Sequence, residues 1–179
     1  MQHDVRPTLY YCNPNIYPQE EYERRKQECT RYARTLGLDI VDADYDHPAW
    51  LCAVQGLENE PERGSRCLAC FRYRLLQSAR YALTHGFPVL TTTLASSRWK
   101  SLEQVDAAGA WAGEQALDEA RSAAQAAHDA TASAPAAIPS LTWWGRNWRK
   151  GGLQERRNAL IKEWGFYNQT WCGCEFSLR

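Results

Sequence analysis

Short β-prone runs alternate with helical stripes along this chain, and that alternation constrains its fold more than any single residue does. Thr8 to Cys12 is β-prone and runs into the turn composition Asn13-Pro14-Asn15, so a strand ending at Cys12 is predicted. Pro18, Glu20 and Glu21 then make a helix start, and Tyr22, Cys29, Tyr32, Ala33 and Leu36 recur at helical spacing up to Gly37. This predicts a helix over about 18–36, with Cys29 on its apolar stripe as a small core residue. Leu38 to Val41 reads as a second strand, and 42–66 as a long loop with one short helix around Trp50–Leu57. A helical stripe from Cys67 to Gly86 follows, then the β-rich run Pro88 to Leu94. Ser101 with Gln104 three residues on has the form of a capping box opening another helix. Leu141 to Trp144 gives a further strand, and Leu153, Leu160, Ile161 and Trp164 a last helix closed by Gly165. Strands alternating with helices point to a single α/β domain with a mainly parallel sheet. In such sheets ligands bind beyond the carboxyl ends of the strands, the side on which Cys12 is expected.

One segment breaks the pattern. Residues 107–137 hold fifteen alanines in 31 residues, and the stretch of about 107–139 reads as a solvent-exposed helical or partly disordered insertion. No run approaches the roughly 18 apolar residues of a membrane helix, and the start is polar. A cytoplasmic protein with no membrane partner is therefore expected. Formal net charge is zero, so nucleic-acid binding requires a local basic patch.

In a reducing compartment, seven cysteines with close spacings read as metal or redox chemistry rather than disulfide staples. Cys67-Leu-Ala-Cys70 is a CxxC at a predicted helix N-terminus, where the helix-end N–H groups favour thiolates able to ligate iron or zinc. Cys172-Gly-Cys174 is a different object, since an extended chain sets cysteines two apart at about 7 Å between Cα atoms. Gly173 lets the backbone fold tightly enough to close a strained, easily reduced bridge suited to a catalytic couple. The alternative is that all four cysteines surround one tetrahedral zinc, and these residues alone leave both arrangements open. Cys12 is open to being a buried thiol or an additional ligand. The segment Trp143-Trp144-Gly-Arg146-Asn-Trp148-Arg149-Lys150 interleaves rings with cations, as RNA binders do, and a solvated charged face is its other reading. His47, beside Asp44 and Asp46, matches no ligand spacing.

In order, these segments resemble the cobalamin-independent (QueH-type) epoxyqueuosine reductase family. The matching stretches include Tyr11-Cys-Asn-Pro-Asn-Ile-Tyr-Pro18, Asp42-Ala-Asp-Tyr-Asp46 and Arg66-Cys-Leu-Ala-Cys-Phe-Arg72. Gly86-Phe-Pro-Val-Leu-Thr-Thr-Thr93, Asn147-Trp-Arg-Lys150 and Cys172-Gly-Cys-Glu-Phe-Ser177 continue the match. The resemblance implies a Rossmann-like α/β fold and the two-electron reduction of the epoxide of epoxyqueuosine in the anticodon of tRNA. It implies Cys67 and Cys70 as ligands of a [4Fe-4S] cluster, with an additional iron open, and Cys172 and Cys174 as the redox-active pair. Arg146, Trp148, Arg149 and Lys150 would contact the tRNA, and an external electron donor is required. Family members place a Cys-Cys strand and a helix before the region matching Thr8, and this sequence starts after them. The expectation is therefore a shortened chain lacking the first strand and helix, or Cys12 as a substitute ligand. The contrasting functional reading is a zinc-stabilised RNA-binding module or an inactive remnant of the family.

Overall fold

The computed structural model describes residues 5–97, 99–131 and 140–177. Its elements are β1 (Leu9–Tyr11), α1 (Gln19–Thr35), β2 (Ile40–Asp42), α2 (His47–Ala53), α3 (Ser65–Thr84), β3 (Val89–Leu90), α4 (Leu102–Thr131), β4 (Thr142–Trp143) and α5 (Leu153–Trp164). Single 3-10 turns cover Thr93–Ser96 and Glu175–Ser177. The packing falls into two compact units, 1–62 with 155–179 and 63–154.

Both units carry the expected parallel pairing, but as two separate pairs rather than one sheet. In the first unit β1 pairs with β2 across α1, with Leu9 opposite Ile40 and Tyr11 opposite Asp42. Tyr11, Ile16 and Tyr22 form its aromatic core, with Ile40 and Tyr45 packed against them. The Tyr22 hydroxyl donates to Asp42 Oδ1 at 2.7 Å and reaches Ala43 O at 3.2 Å, tying α1 to the end of β2. Burial pushes the Tyr22 phenol far up its ordinary range, and the Asp42 bond adds to that. The α2 helix starts three residues earlier than predicted because Asp46 caps it, accepting from the Ala49 N–H at 2.9 Å.

In the second unit β3 pairs with β4 across α4, Val89 opposite Thr142. The β-rich run 88–94 yields only two strand residues, because Thr92 accepts from the Leu94 N–H and turns the chain into the 3-10 segment. Half of the expected capping box forms. Ser101 Oγ accepts from the Gln104 N–H at 3.2 Å, but the Gln104 amide donates to Arg63 O at 2.8 Å instead of returning to its own cap.

The alanine-rich stretch is corrected by the structure in its first half. Ala108, Ala112 and Ala116 are 0–2% exposed and pack with Val105 against Phe71, Leu75, Ala79 and Ala82 of α3. Their 3,4,4 spacing from Val105 is a helix face, and small side chains let α4 approach α3 closely. Gly109 extends this economy, since a Cβ there would collide with the Trp143 ring. From residue 118 to residue 130 the helix is largely exposed, as expected of an outward projection; Pro135 and its neighbours lie outside the described residues.

Arg80 of α3 clasps Glu119 of α4 bidentately, at 2.7 and 2.8 Å. Those hydrogen bonds hold the Glu119 carboxyl below the usual carboxylate range. A lowered carboxyl stabilises the fold above its ordinary range and loses that contribution as pH falls through it. Both side chains are more than a third exposed, so screening keeps the pair small. Glu119→Gln is expected to cost less than about 1 kcal/mol in urea unfolding at about pH 7, and nothing at about pH 2.

Candidate functional site

The two cysteine pairs fall in different units. In the first unit, the segment 164–174 lies along α1, whose cations take its rings. Arg31 stands over Phe166 at 5.3 Å, Arg24 over Tyr167 at 5.1 Å and Arg25 over Trp171 at 5.3 Å. Arg25 is the anchor. Its side chain is 5% exposed and pairs through Nε with Glu21 Oε1 at 2.7 Å. The remaining N–H groups donate to Gln169 Oε1 at 3.0 Å, Cys172 O at 3.2 Å and Trp171 O at 3.3 Å. Tyr167 completes Glu21 by donating its hydroxyl at 3.1 Å.

Cys172-Gly173-Cys174 is thereby fixed as a bend. Gly173 has φ +101°, a conformation L side chains rarely adopt, and its carbonyl accepts the Tyr17 N–H at 2.9 Å. The bend leaves Cys172 exposed and Cys174 buried at 7%. Ser177 Oγ stands 3.1 Å from Cys172 Sγ and donates to Cys174 O at 2.8 Å.

His47, for which the sequence offered no partner, meets this segment. Its Nδ1 faces Pro14 O at 2.7 Å, a pure acceptor, and its Nε2 faces Glu175 Oε1 at 3.0 Å. The imidazole is stacked with Tyr17, Tyr45 and Trp50, and Trp50 in turn stacks on Phe176. A partner 128 residues away leaves no local signal, which is why spacing rules missed it. Cys12, just past β1, is buried, while Cys52 is exposed; Cys29 lies on the α1 stripe between Arg25 and Ala33 and keeps an exposed surface, yet burial of its thiol pushes it up.

In the second unit, Cys67 and Cys70 occupy the first two turns of α3, Cys67 half-buried and Cys70 buried. The Arg63 N–H donates to Cys67 Sγ at 3.3 Å. Arg63 is, among the described residues, the non-glycine with positive φ (+67°), held there by Gln104 on its carbonyl and by its own Nε on Trp99 O. A sulfur receiving a backbone N–H at a helix start fits a thiolate ligand. Among the described residues no three His, Cys, Asp or Glu side chains gather closely enough to hold a metal ion.

The Trp/Arg segment is partly committed to structure. Trp148 Nε1 donates to Thr92 O at 2.8 Å, and Arg149 donates to Ala95 O at 3.0 Å and Lys100 O at 3.1 Å. Arg149 thus clamps the 3-10 turn. Arg146 and Lys150 are exposed, and Arg146 lies over the T-shaped Trp144–Trp148 pair at 5.7 and 5.9 Å.

These features describe an α/β protein with two close cysteine pairs, one at a helix start and one at a glycine-hinged bend. The family described as Epoxyqueuosine reductase QueH matches residues 1–179. The chain is 40% identical to Epoxyqueuosine reductase QueH of Histophilus somni over 172 residues, which cover 96% of this chain and 62% of that relative. The protein of the same description from Haemophilus influenzae is 40% identical, with 96% and 61% covered, and that from Acinetobacter baylyi 37%, with 96% and 69%. The chain belongs to the epoxyqueuosine reductase QueH family. It spans about three fifths of the length of the first two of these relatives. Among the described residues no helix is long and apolar enough to cross a membrane.

Proposed function

We propose that this chain carries out the reductive step its family is described by, conversion of the epoxide of epoxyqueuosine in tRNA to the alkene of queuosine. The observation that carries the reading is the bend at Cys172-Gly173-Cys174, held by Arg25 and the Tyr17 N–H with Cys172 outermost. The chemistry balances on that pair. Two thiols become one disulfide, giving up two electrons and two protons, and the epoxide loses both C–O bonds to leave an alkene and water. An external donor then returns the disulfide to the dithiol.

Cys67 and Cys70 would hold an iron–sulfur cluster as two of its thiolate ligands. When bound, such a group supplies electrons singly. The chain's own residues do the rest. Arg25 orients the bend, Cys174 stays shielded, and Arg146 and Lys150 offer cations to the tRNA backbone beside the Trp144–Trp148 rings, with Trp148 anchored on Thr92 O.

The test is turnover of tRNA carrying epoxyqueuosine, under anaerobic conditions with iron, sulfide and a chemical reductant, read by mass spectrometry of the nucleosides. Conversion is expected, with Cys172→Ser and Cys174→Ser each lowering it about a hundredfold or more. Serine variants that convert at the unmodified rate, or an intact chain that converts none, would overturn the reading.

A further inference from the structure

Ser177 sits on the sulfur of Cys172 in a way that a merely structural serine does not require. Its Oγ donates to Cys174 O at 2.8 Å and lies 3.1 Å from Cys172 Sγ. A hydroxyl has one hydrogen, so while Cys174 O takes it, Ser177 offers the sulfur a lone pair, and Cys172 must donate its S–H. When Cys172 loses that proton the sulfur becomes an acceptor, and the Ser177 hydrogen has to turn to it. Ordinarily such a rotation would orphan the carbonyl it left, at a cost of about 1–3 kcal/mol for a buried group. Here Cys174 O also accepts the backbone N–H of Ser177 at 3.0 Å, so it keeps a partner in either rotamer.

We propose that Ser177 is a two-position hydroxyl that serves Cys172 both as thiol and as thiolate, which makes exposed Cys172 the sulfur that opens the epoxide, forming a C–S bond as one C–O bond breaks and the oxygen takes a proton, and buried Cys174 the partner that forms the S–S bond as the C–S bond breaks and the hydroxyl leaves as water, giving the alkene. The inference rests on reading these cysteines as a redox couple and adds which of the two reacts first. Among the described residues, Arg25 on Cys172 O is paired with Glu21, and Glu175 Oε1 faces His47 Nε2.

The experiment measures iodoacetamide alkylation of each cysteine by peptide mass spectrometry in the reduced chain, from about pH 6 to about pH 10. Ser177→Ala is expected to move the Cys172 alkylation midpoint up by about one pH unit, a roughly tenfold lower rate below it, as loss of a hydrogen bond to a charged sulfur predicts. Ser177→Thr, which keeps the hydroxyl, should restore the original midpoint. Cys29 and Cys52, both exposed, serve as internal references and should not move. An unchanged Cys172 midpoint in Ser177→Ala, a threonine variant that fails to restore it, or an equal shift at Cys29 and Cys52 would each overturn the proposal. The redox reading stands apart, since it falls if Cys172→Ser still reduces the epoxide, whatever the alkylation profile shows.

Discussion

Replacing Arg25 by methionine should destabilise the first unit by about 3–5 kcal/mol, the usual cost of removing one partner from a buried ion pair. The Glu21 carboxylate that would be left is 9% exposed. Its remaining contacts are the Tyr167 hydroxyl and Arg24, the latter at 3.9 Å on a side chain 60% exposed, too distant and too solvated to replace a 2.7 Å bond. Three acceptors lose their donor together: Gln169 Oε1, Trp171 O and Cys172 O. Urea unfolding of the single variant, of Glu21→Gln and of the double variant separates the terms. The double variant should be more stable than Arg25→Met alone, because it removes the uncompensated charge. Arg25→Lys should fall between, since an ammonium can meet Glu21 but cannot reproduce the fork that spans three acceptors. A methionine variant within about 1 kcal/mol of the unmodified chain would show that the pair is not the anchor inferred from its burial.

The same arginine marks the boundary of what the sequence could reveal. Strand and helix positions were legible because they are written in local periodicity: α1, α3 and α5 lie within about two residues of their predicted ends, and Cys12, Cys67 and Gly173 occupy the strand end, helix start and turn expected of them. Tertiary pairings carry no such local mark. Arg25 looks like any helical cation until Gln169 and Cys172 arrive from 144 and 147 residues away, and His47 like a loop histidine until Glu175 does. The alanine-rich helix misled for a related reason. Composition averages over a helix, whereas burial is decided face by face, and three alanines on one stripe suffice to dock it on α3. Arg149 is a further case: a cation among tryptophans has no local mark of the two backbone carbonyls it bonds, Ala95 O and Lys100 O.

Gly173→Ala should cost about 2–5 kcal/mol if the bend keeps its shape, the sum of backbone strain and overpacking. At φ +101° a Cβ would stand 2.7 Å from Ile16 Cγ1 and 3.1 Å from the Arg25 guanidinium. Ile16 is 3% exposed and belongs to the aromatic core, so it has no free space to yield, and Arg25 is held by four acceptors. Relief is cheaper on the other side. The bend can release the Tyr17 N–H and the Arg25 contact and swing outward, which limits the stability loss but parts the two sulfurs. The variant should therefore show a modest fall in urea stability together with at least a roughly tenfold slower formation of the Cys172–Cys174 disulfide, since about 1.4 kcal/mol of added strain is enough for that factor. Peptide mapping after a mild oxidant pulse reads the second quantity directly, with Cys29 and Cys52 as unpaired references. Unchanged stability combined with unchanged disulfide formation would mean that the left-handed glycine is incidental. A slowed disulfide in a chain that still unfolds cooperatively would tie the conformation of one glycine to the redox competence of the pair on either side of it.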